Sequence, residues 1–318
     1  MTGQKPIYGG QAVIEGVMMA GQTVTVTAVR RNDQTISYFE YPKQTIGAFR
    51  FLKKVPLIRG IVAIMESSAV GSRHLQYASD AYDESPENDE ARLASEQSKQ
   101  KKKTGLVIGL SAIGILSFIF AKFVFDLAPA LLASLFEPVI GSAVGQILLE
   151  GAIKVALLIG YIALIAETPL IKRLFQYHGA EHKVINTFEA GESLSVENVR
   201  KHSRFHYRCG SSFIVFTAII SIFLYLFFPV NPLWLRLVSR LLLIPIDLGL
   251  AFEILRLTNS IRHIPILRWL GFPGLSVQLL TTKEPSDDQI EVGIRAFERM
   301  RMLDCERASD RQSTSQVL

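Results

Sequence analysis

The sequence predicts an α-helical integral membrane protein with four transmembrane helices, plus a small cytoplasmic α+β portion built from the N-terminal β-strands and terminal helices. Two observations carry this expectation. Hydrophobic residues make up 49% of the 318 positions and mean hydropathy is +0.27; these residues come in long blocks, the pattern of a membrane protein and not of a soluble one. Ahead of the first block, β-branched residues alternate with others, which is the period of a strand.

Residues 1–79 are read as cytoplasmic strands and a helix. Lys5, Glu15 and Arg30 interrupt the N-terminal stretch, so it lacks the apolar core of a secretory signal and is expected to stay in the cytoplasm. In IYGGQAVIEGVMMAGQTVTVTAVRRNDQTISYFEYP, Thr23, Thr25 and Thr27 alternate with Val24 and Val26, and a turn signal follows at residues 31 to 33. This predicts at least two antiparallel strands. VPLIRGIVAIMESSAVGSRHLQYASDAYD then supports a helix with Pro56 near its start. Residues 80–103 are acidic and Ser-rich before ending in KQKKK, the composition of a solvated linker.

Residues 104–171 are expected to form a first membrane hairpin. TGLVIGLSAIGILSFIFAKFVF is long enough, at about 22 residues, to cross a hydrocarbon core of about 30 Å, and the preceding lysines place its start inside. LAPALLASLFEPVIGSA reads as an interfacial or re-entrant piece, and a second span returns to the cytoplasm at Lys172 and Arg173. Residues 211–258 give the second hairpin, SSFIVFTAIISIFLYLFF and LWLRLVSRLLLIPIDLGLAFEILRL, joined by the Pro-Val-Asn-Pro turn at 229 to 232. Residues 172–210 between the hairpins form a cytoplasmic segment holding four of the six histidines. Residues 259–305 are a cytoplasmic C-terminal segment, with a helix starting at Ser286 and an apolar face of Ile290, Ile294 and Phe297. Residues 306–318 are expected to be a disordered tail. Both termini thus lie on the cytoplasmic side of a plasma membrane.

Partners follow from charge. The net charge of +5 collects beside the apolar blocks and reads as membrane orientation, so the expected partner is the lipid bilayer. No basic run interleaved with aromatics points to nucleic acid. Cys209 and Cys305 lie far apart, which argues against a disulfide framework and fits a reducing compartment.

The chemistry concentrates in YHGAEHKVINTFEAGE, residues 177 to 192. On a helix, His178 and His182 lie one turn apart on one face, the spacing that lets two imidazoles reach one ion. His-x-x-Glu-His is also the inverted zinc-peptidase arrangement, in which the glutamate activates water. HSRFHYRCG adds His202, His206 and Cys209, and His206 with Cys209 has His-x-x-Cys spacing. The expected site is therefore Zn²⁺, or another divalent transition metal, on His178, His182, His206 and Cys209, with Glu181 as general base. His202 is kept as an alternate ligand or proton shuttle. Glu189 shares the histidine face about 10 Å along the axis, better placed to organise the site than to bind its ion.

HGAEHK, HYRCGSSF, GGQAVIEGVMM, and PGLSVQLLTTKEP with DDQIEV together resemble the bacterial membrane family of unknown function represented by YqhQ. The resemblance covers nearly the whole chain apart from the acidic linker and the tail. It implies a metal-dependent enzyme, the label such proteins commonly carry, without naming a reaction. The chain departs from the family where Arg-Gly-Pro is replaced by Ala20, Gly21 and Gln22, and where His-Pro is replaced by His206 and Tyr207.

Three further features have bland and sharp readings. Glu15 is either an exposed turn residue or an acid, base or extra ligand at the metal. Glu150 and Lys154 are an i, i+4 pair in the second span, placed to snorkel outward. Arg236, Arg240 and Asp247 share a stripe of the fourth span, where charge is expensive and turns inward; pairing with Glu150 and Lys154 explains them better than a transport path. The leading function is thus a cytoplasmic-facing metal-dependent hydrolase, in which zinc would bring the pKa of bound water from about 15.7 to near 7. The alternatives are a closed, zinc-pinned structural scaffold, or a small-solute transporter using Arg240 and Asp247.

Overall fold

In the computed structural model, residues 7–43, 49–83, 116–117, 120–121, 123–262 and 264–316 are described. The alternating N-terminal residues form four strands, β1 (Gly9–Val13), β2 (Gly16–Ala20), β3 (Val24–Arg30) and β4 (Ile36–Pro42), in an antiparallel meander of order β1-β2-β3-β4. Glu15 makes the tight turn between β1 and β2 with a left-handed φ of 49°. Period-two alternation sends Val17, Met19, Val24, Val26 and Ala28 to one face and Val13, Met18 and Val29 to the other. Both faces are covered, and so β3 is buried at six of its seven residues.

The helices follow: α1 (Phe49–Leu52), α2 (Ile58–Asp83), α3 (Phe123–Ser134), α4 (Ala143–Ala166), α5 (Pro169–Ala190), α6 (Val196–Lys201), α7 (Gly210–Tyr225), α8 (Leu233–Ser260), a 3-10 turn (Leu267–Gly271), α9 (Phe272–Thr281) and α10 (Asp287–Gln316). The first face of the sheet packs on α5 and α10, where Tyr177, Val184, Ile290, Phe297 and Met300 complete the main core. Ala78 and Ala81 of α2 cover the second face. Ser286 caps α10: its carbonyl accepts from Gln289 and Ile290, and its amide donates to the Gln289 side chain. The helix continues to Gln316, past residue 306 where the sequence suggests a disordered tail.

The structure corrects the expectation of four transmembrane helices. Among the described residues, α4 is the one helix long and apolar enough to cross a membrane. Helix α7 has 16 residues, about 24 Å at 1.5 Å per residue, short of the roughly 30 Å required. Helix α8 has the length but carries Arg236, Arg240, Asp247, Glu253 and Arg256. The first expected span, residues 104–125, falls largely outside the described residues, and its last three residues begin α3. Apolar runs in the sequence register neither the early end of a helix nor the charges a helix gathers along its length.

Two of those charges, Arg236 and Arg240, are buried between the helices. Both guanidinium groups of Arg236 and Arg240 converge on the Glu150 carboxylate, at 2.7 and 2.9 Å, and Arg236 also donates to Gln146. Lys154 pairs with Asp126 of α3 and donates to Ser221 of α7 at 2.6 Å. The expected Glu150–Lys154 pair is thus replaced by cross-helix pairs: a group with little exposure needs a partner, and the neighbouring helices supply one on each side. Neither residue snorkels, because Glu150 is 1% and Lys154 4% exposed.

Two outcomes are expected. Glu150→Gln strands two buried guanidinium groups, and breaking a buried pair costs about 3–5 kcal/mol; thermal unfolding in detergent should show a large drop in midpoint, far beyond that of Glu137→Gln at an exposed position. His74, wholly buried against Thr27 and Phe39, is held neutral by burial and then by Arg73, which depress its pKa from 6.5 to about 4. Between those values the unfolded chain takes up a proton that the folded one refuses. Stability is therefore full above pH 6.5 and falls as the pH drops to about 4, and His74→Gln should flatten that part of the profile in an unfolding series.

Candidate metal centre

Helix α5 is the platform of the site. Thr168 and Pro169 start it, Gly191 ends it in the left-handed conformation with φ 82°, and each terminal residue is the type its position favours. Its six residues from 178 to 183 face different neighbours. Gly179 meets the segment after α9 so closely that a Cβ would lie 2.1 Å from the Lys283 carbonyl oxygen. Ala180 packs at Gly293 of α10. Glu181 lies over Gly10 of β1, where a Cβ would lie 2.9 Å from its carboxyl carbon. Lys183 ties down the end of α6 by donating to the Arg200 and His202 carbonyls at 3.0 and 2.8 Å.

The two remaining residues are the histidines, with rings 4.4 Å apart. His178 Nδ1 lies 2.8 Å from the Thr281 carbonyl oxygen, and His182 Nδ1 lies 2.7 Å from that of Arg204. A carbonyl only accepts, so each Nδ1 carries the hydrogen and each Nε2 presents a lone pair. Both look toward Cys209, the N-cap of α7, whose Sγ is 3.1 Å from His178 Nε2. One donor atom from each of His178, His182 and Cys209 falls in a group whose members all lie within 4.8 Å of one another.

Burial by itself would push the Cys209 thiol up; hydrogen bonding and charge from His182, then the bonds from Ser211, outweigh it and bring the pKa below the usual value. Burial pushes the Glu181 carboxyl up to about 8, against the pull of His178. The Gly10 backbone lies against this carboxyl, whose Oε2 is buried with no hydrogen-bond partner among the described residues. His182 and His206 are both shifted down, chiefly by burial. A cavity of about 370 Å³ borders all four groups of the centre, His178, Glu181, His182 and Cys209, with β1 as one wall.

The other sequence-based candidates lie around this group. His206 is not brought into it: its ring centroid is 5.6 Å from that of His182, and its Nε2 turns toward Glu189 at 3.8 Å. Glu189 also holds Arg208 and Arg262, and although burial pushes its carboxyl up, the neighbouring His206 ring and the Arg208 guanidinium hold it well below the usual range. His202 sits 3.3 Å from Glu192. Glu15 pairs with Arg173 and accepts from Tyr177 at 3.1 Å, which ties the β1–β2 turn to α5.

Several positioning groups escape sequence reasoning. The Thr281 and Arg204 carbonyls are backbone atoms and leave no residue-type signal. Gln278 holds the backbone of His206 by both its amide and its carbonyl, at 2.9 and 2.8 Å. As a fully buried amide in the otherwise apolar run of α9, it is the one member of this set that the sequence could have flagged.

Residues 55–302 match the family model described as "Protein of unknown function (DUF1385)", a range that includes every donor atom of the centre. The chain is 50% identical over 301 residues to the "Uncharacterized protein YqhQ" of Bacillus subtilis (strain 168), covering 94% of this chain and 93% of that one. No solved structure matches. The chain belongs to the DUF1385 family, whose function is unknown.

Proposed function

We propose that the protein binds a divalent transition metal, zinc by the chemistry of its donors, between His178, His182 and Cys209, and that this centre hydrolyses a cytoplasmic substrate. One observation carries the reading: two imidazole lone pairs and one thiol converge, and a single S–H hydrogen cannot serve both lone pairs. A cation satisfies all three at once. Nitrogen and thiolate sulfur together suit zinc, and the three donor atoms all lie within 4.8 Å of one another.

Three protein donors beside a cavity follow the open pattern of catalytic centres, whereas structural centres close on four. His206, the natural fourth donor for a scaffold, lies outside the group of donor atoms, with its Nε2 turned toward Glu189 at 3.8 Å and its backbone held by Gln278. A bound metal supplies Lewis acidity at this position. Glu181 borders the same cavity and is placed to accept the proton of an attacking water. As the new C–O bond forms and the bond to the leaving group breaks, that proton passes from Glu181 to the leaving group.

The same reading makes α4 the membrane span of a plasma-membrane protein. Exposed Leu148 and Leu164 on α4, Phe223 on α7 and Leu242 on α8 give the adjoining helices apolar surface suited to lipid. Lys172 and Arg173 at the start of α5 favour a cytoplasmic position for the centre. Arg240 is held by Glu150, which counts against a transport role.

Elemental analysis of detergent-purified protein is expected to find one equivalent of metal per chain, lost in His178→Ala, His182→Ala and Cys209→Ala but kept in His206→Ala. Metal-free wild type, folded and never exposed to chelator, would refute the centre. Glu181→Gln is expected to retain the metal and to lose turnover by about 100-fold or more in a hydrolase screen; loss of metal along with activity would make Glu181 a ligand instead.

A further inference from the structure

Strand β1 is the edge of the sheet. It pairs with β2, and among the described residues no strand lies on its other side. The Val13–Gly16 pair closes the two-residue turn. Counting back from it, residues 9, 11 and 13 exchange hydrogen bonds with β2, while Gly10 and Ala12 turn their backbone groups away. The Glu181 carboxyl lies against Gly10 and is the group its amide faces.

The Gly10 carbonyl and both backbone groups of Ala12 remain. None of these three has a backbone partner among the described residues outside the sheet, and both residues are partly exposed. Gly9, Gly10 and Ala12 carry nothing longer than a methyl group, and a Cβ at Gly9 would meet no atom within 4 Å. This edge lines the cavity of the metal centre, opposite Phe175 and Ile185.

An acceptor, a donor and an acceptor along an open strand edge match the backbone of another extended chain. A polypeptide repeats both a donor and an acceptor at the roughly 6.8 Å of two strand residues, whereas a phosphodiester backbone offers acceptors at its phosphates and no matching donor. We propose that the substrate is a polypeptide, bound in extended form as an added strand on β1 with its scissile carbonyl directed to the centre. This rests on the hydrolase reading above. Pairing at Ala12 sets the register, and the peptide unit two residues along then lies opposite Gly10, beside Glu181 and the donor atoms.

The test uses the full chain loaded with zinc in detergent and measures binding, not turnover. Acetohydroxamate probes the metal alone; N-acetyl-trialanine hydroxamate adds a backbone that can pair with β1. The peptide is expected to bind at least about tenfold more tightly, as one or two net hydrogen bonds would give. N-methylation of its amides, one at a time, should remove that gain at one position, and Ala12→Pro should remove it without changing acetohydroxamate binding. The methylated peptides make the same test on wild-type protein if the proline variant does not fold. Equal affinity of peptide and acetohydroxamate, or a gain indifferent to methylation at every amide, overturns the peptide proposal and leaves the metal centre standing. Failure of acetohydroxamate to bind zinc-treated protein that retains no metal overturns both.

Discussion

The architecture depends on one helix being gripped from every side. A helix sends successive side chains around its full circumference, so a stretch buried all round must be matched residue by residue. Between 178 and 183, α5 meets α9 and the segment after it, α10, β1, the loop before α7, and the end of α6. One of these contacts tolerates no enlargement: the Lys283 carbonyl against Gly179. The histidines thereby sit on a backbone that is fixed before any ligand arrives, which is the preorganisation that metal binding and catalysis both require.

The apolar helices solve a different problem with the same economy of partners. Glu150 holds two arginines, and Lys154 is matched by Asp126, so that α3, α4 and α8 are joined by charges that water does not reach. Such pairs add little net stability compared with well-packed apolar residues, but they penalise every arrangement that separates them. They select one packing of helices whose surfaces are otherwise interchangeable leucines and isoleucines. That packing matters to the centre because α7, which Lys154 anchors through Ser221, begins at Cys209.

Much of this was legible in the sequence, and the illegible parts have physical causes. Alternation of Val and Thr marked the sheet, though only β3 shows the full pattern; β1, with its glycines, is a strand because β2 pairs with it. The four-residue spacing put His178 and His182 on one face, and the structure places them side by side. The linking of Arg236 and Arg240 to Glu150 was inferable because a buried charge must find its opposite. Periodicity could not decide between His206 and Cys209, since the loop carrying them has no regular phase: Gln278 fixes the backbone of His206 and the start of α7 fixes Cys209. The number of spans was misjudged because a hydropathy sum over α7 and α8 is insensitive to where the first ends and to the five charges of the second.

The Thr281 carbonyl that orients His178 lies 103 residues further along the chain. A ribosome adds about 5–20 residues per second, so the histidine exists for roughly 5–20 s before the atom that fixes its tautomer has been made. Throughout that interval the imidazole is free to carry its hydrogen on either nitrogen, and α5 lacks the carbonyl that packs on Gly179. The histidine cluster is thus among the last features of the molecule to be completed, and a chain released early, however well its sheet and first helices have formed, has nothing to orient His178.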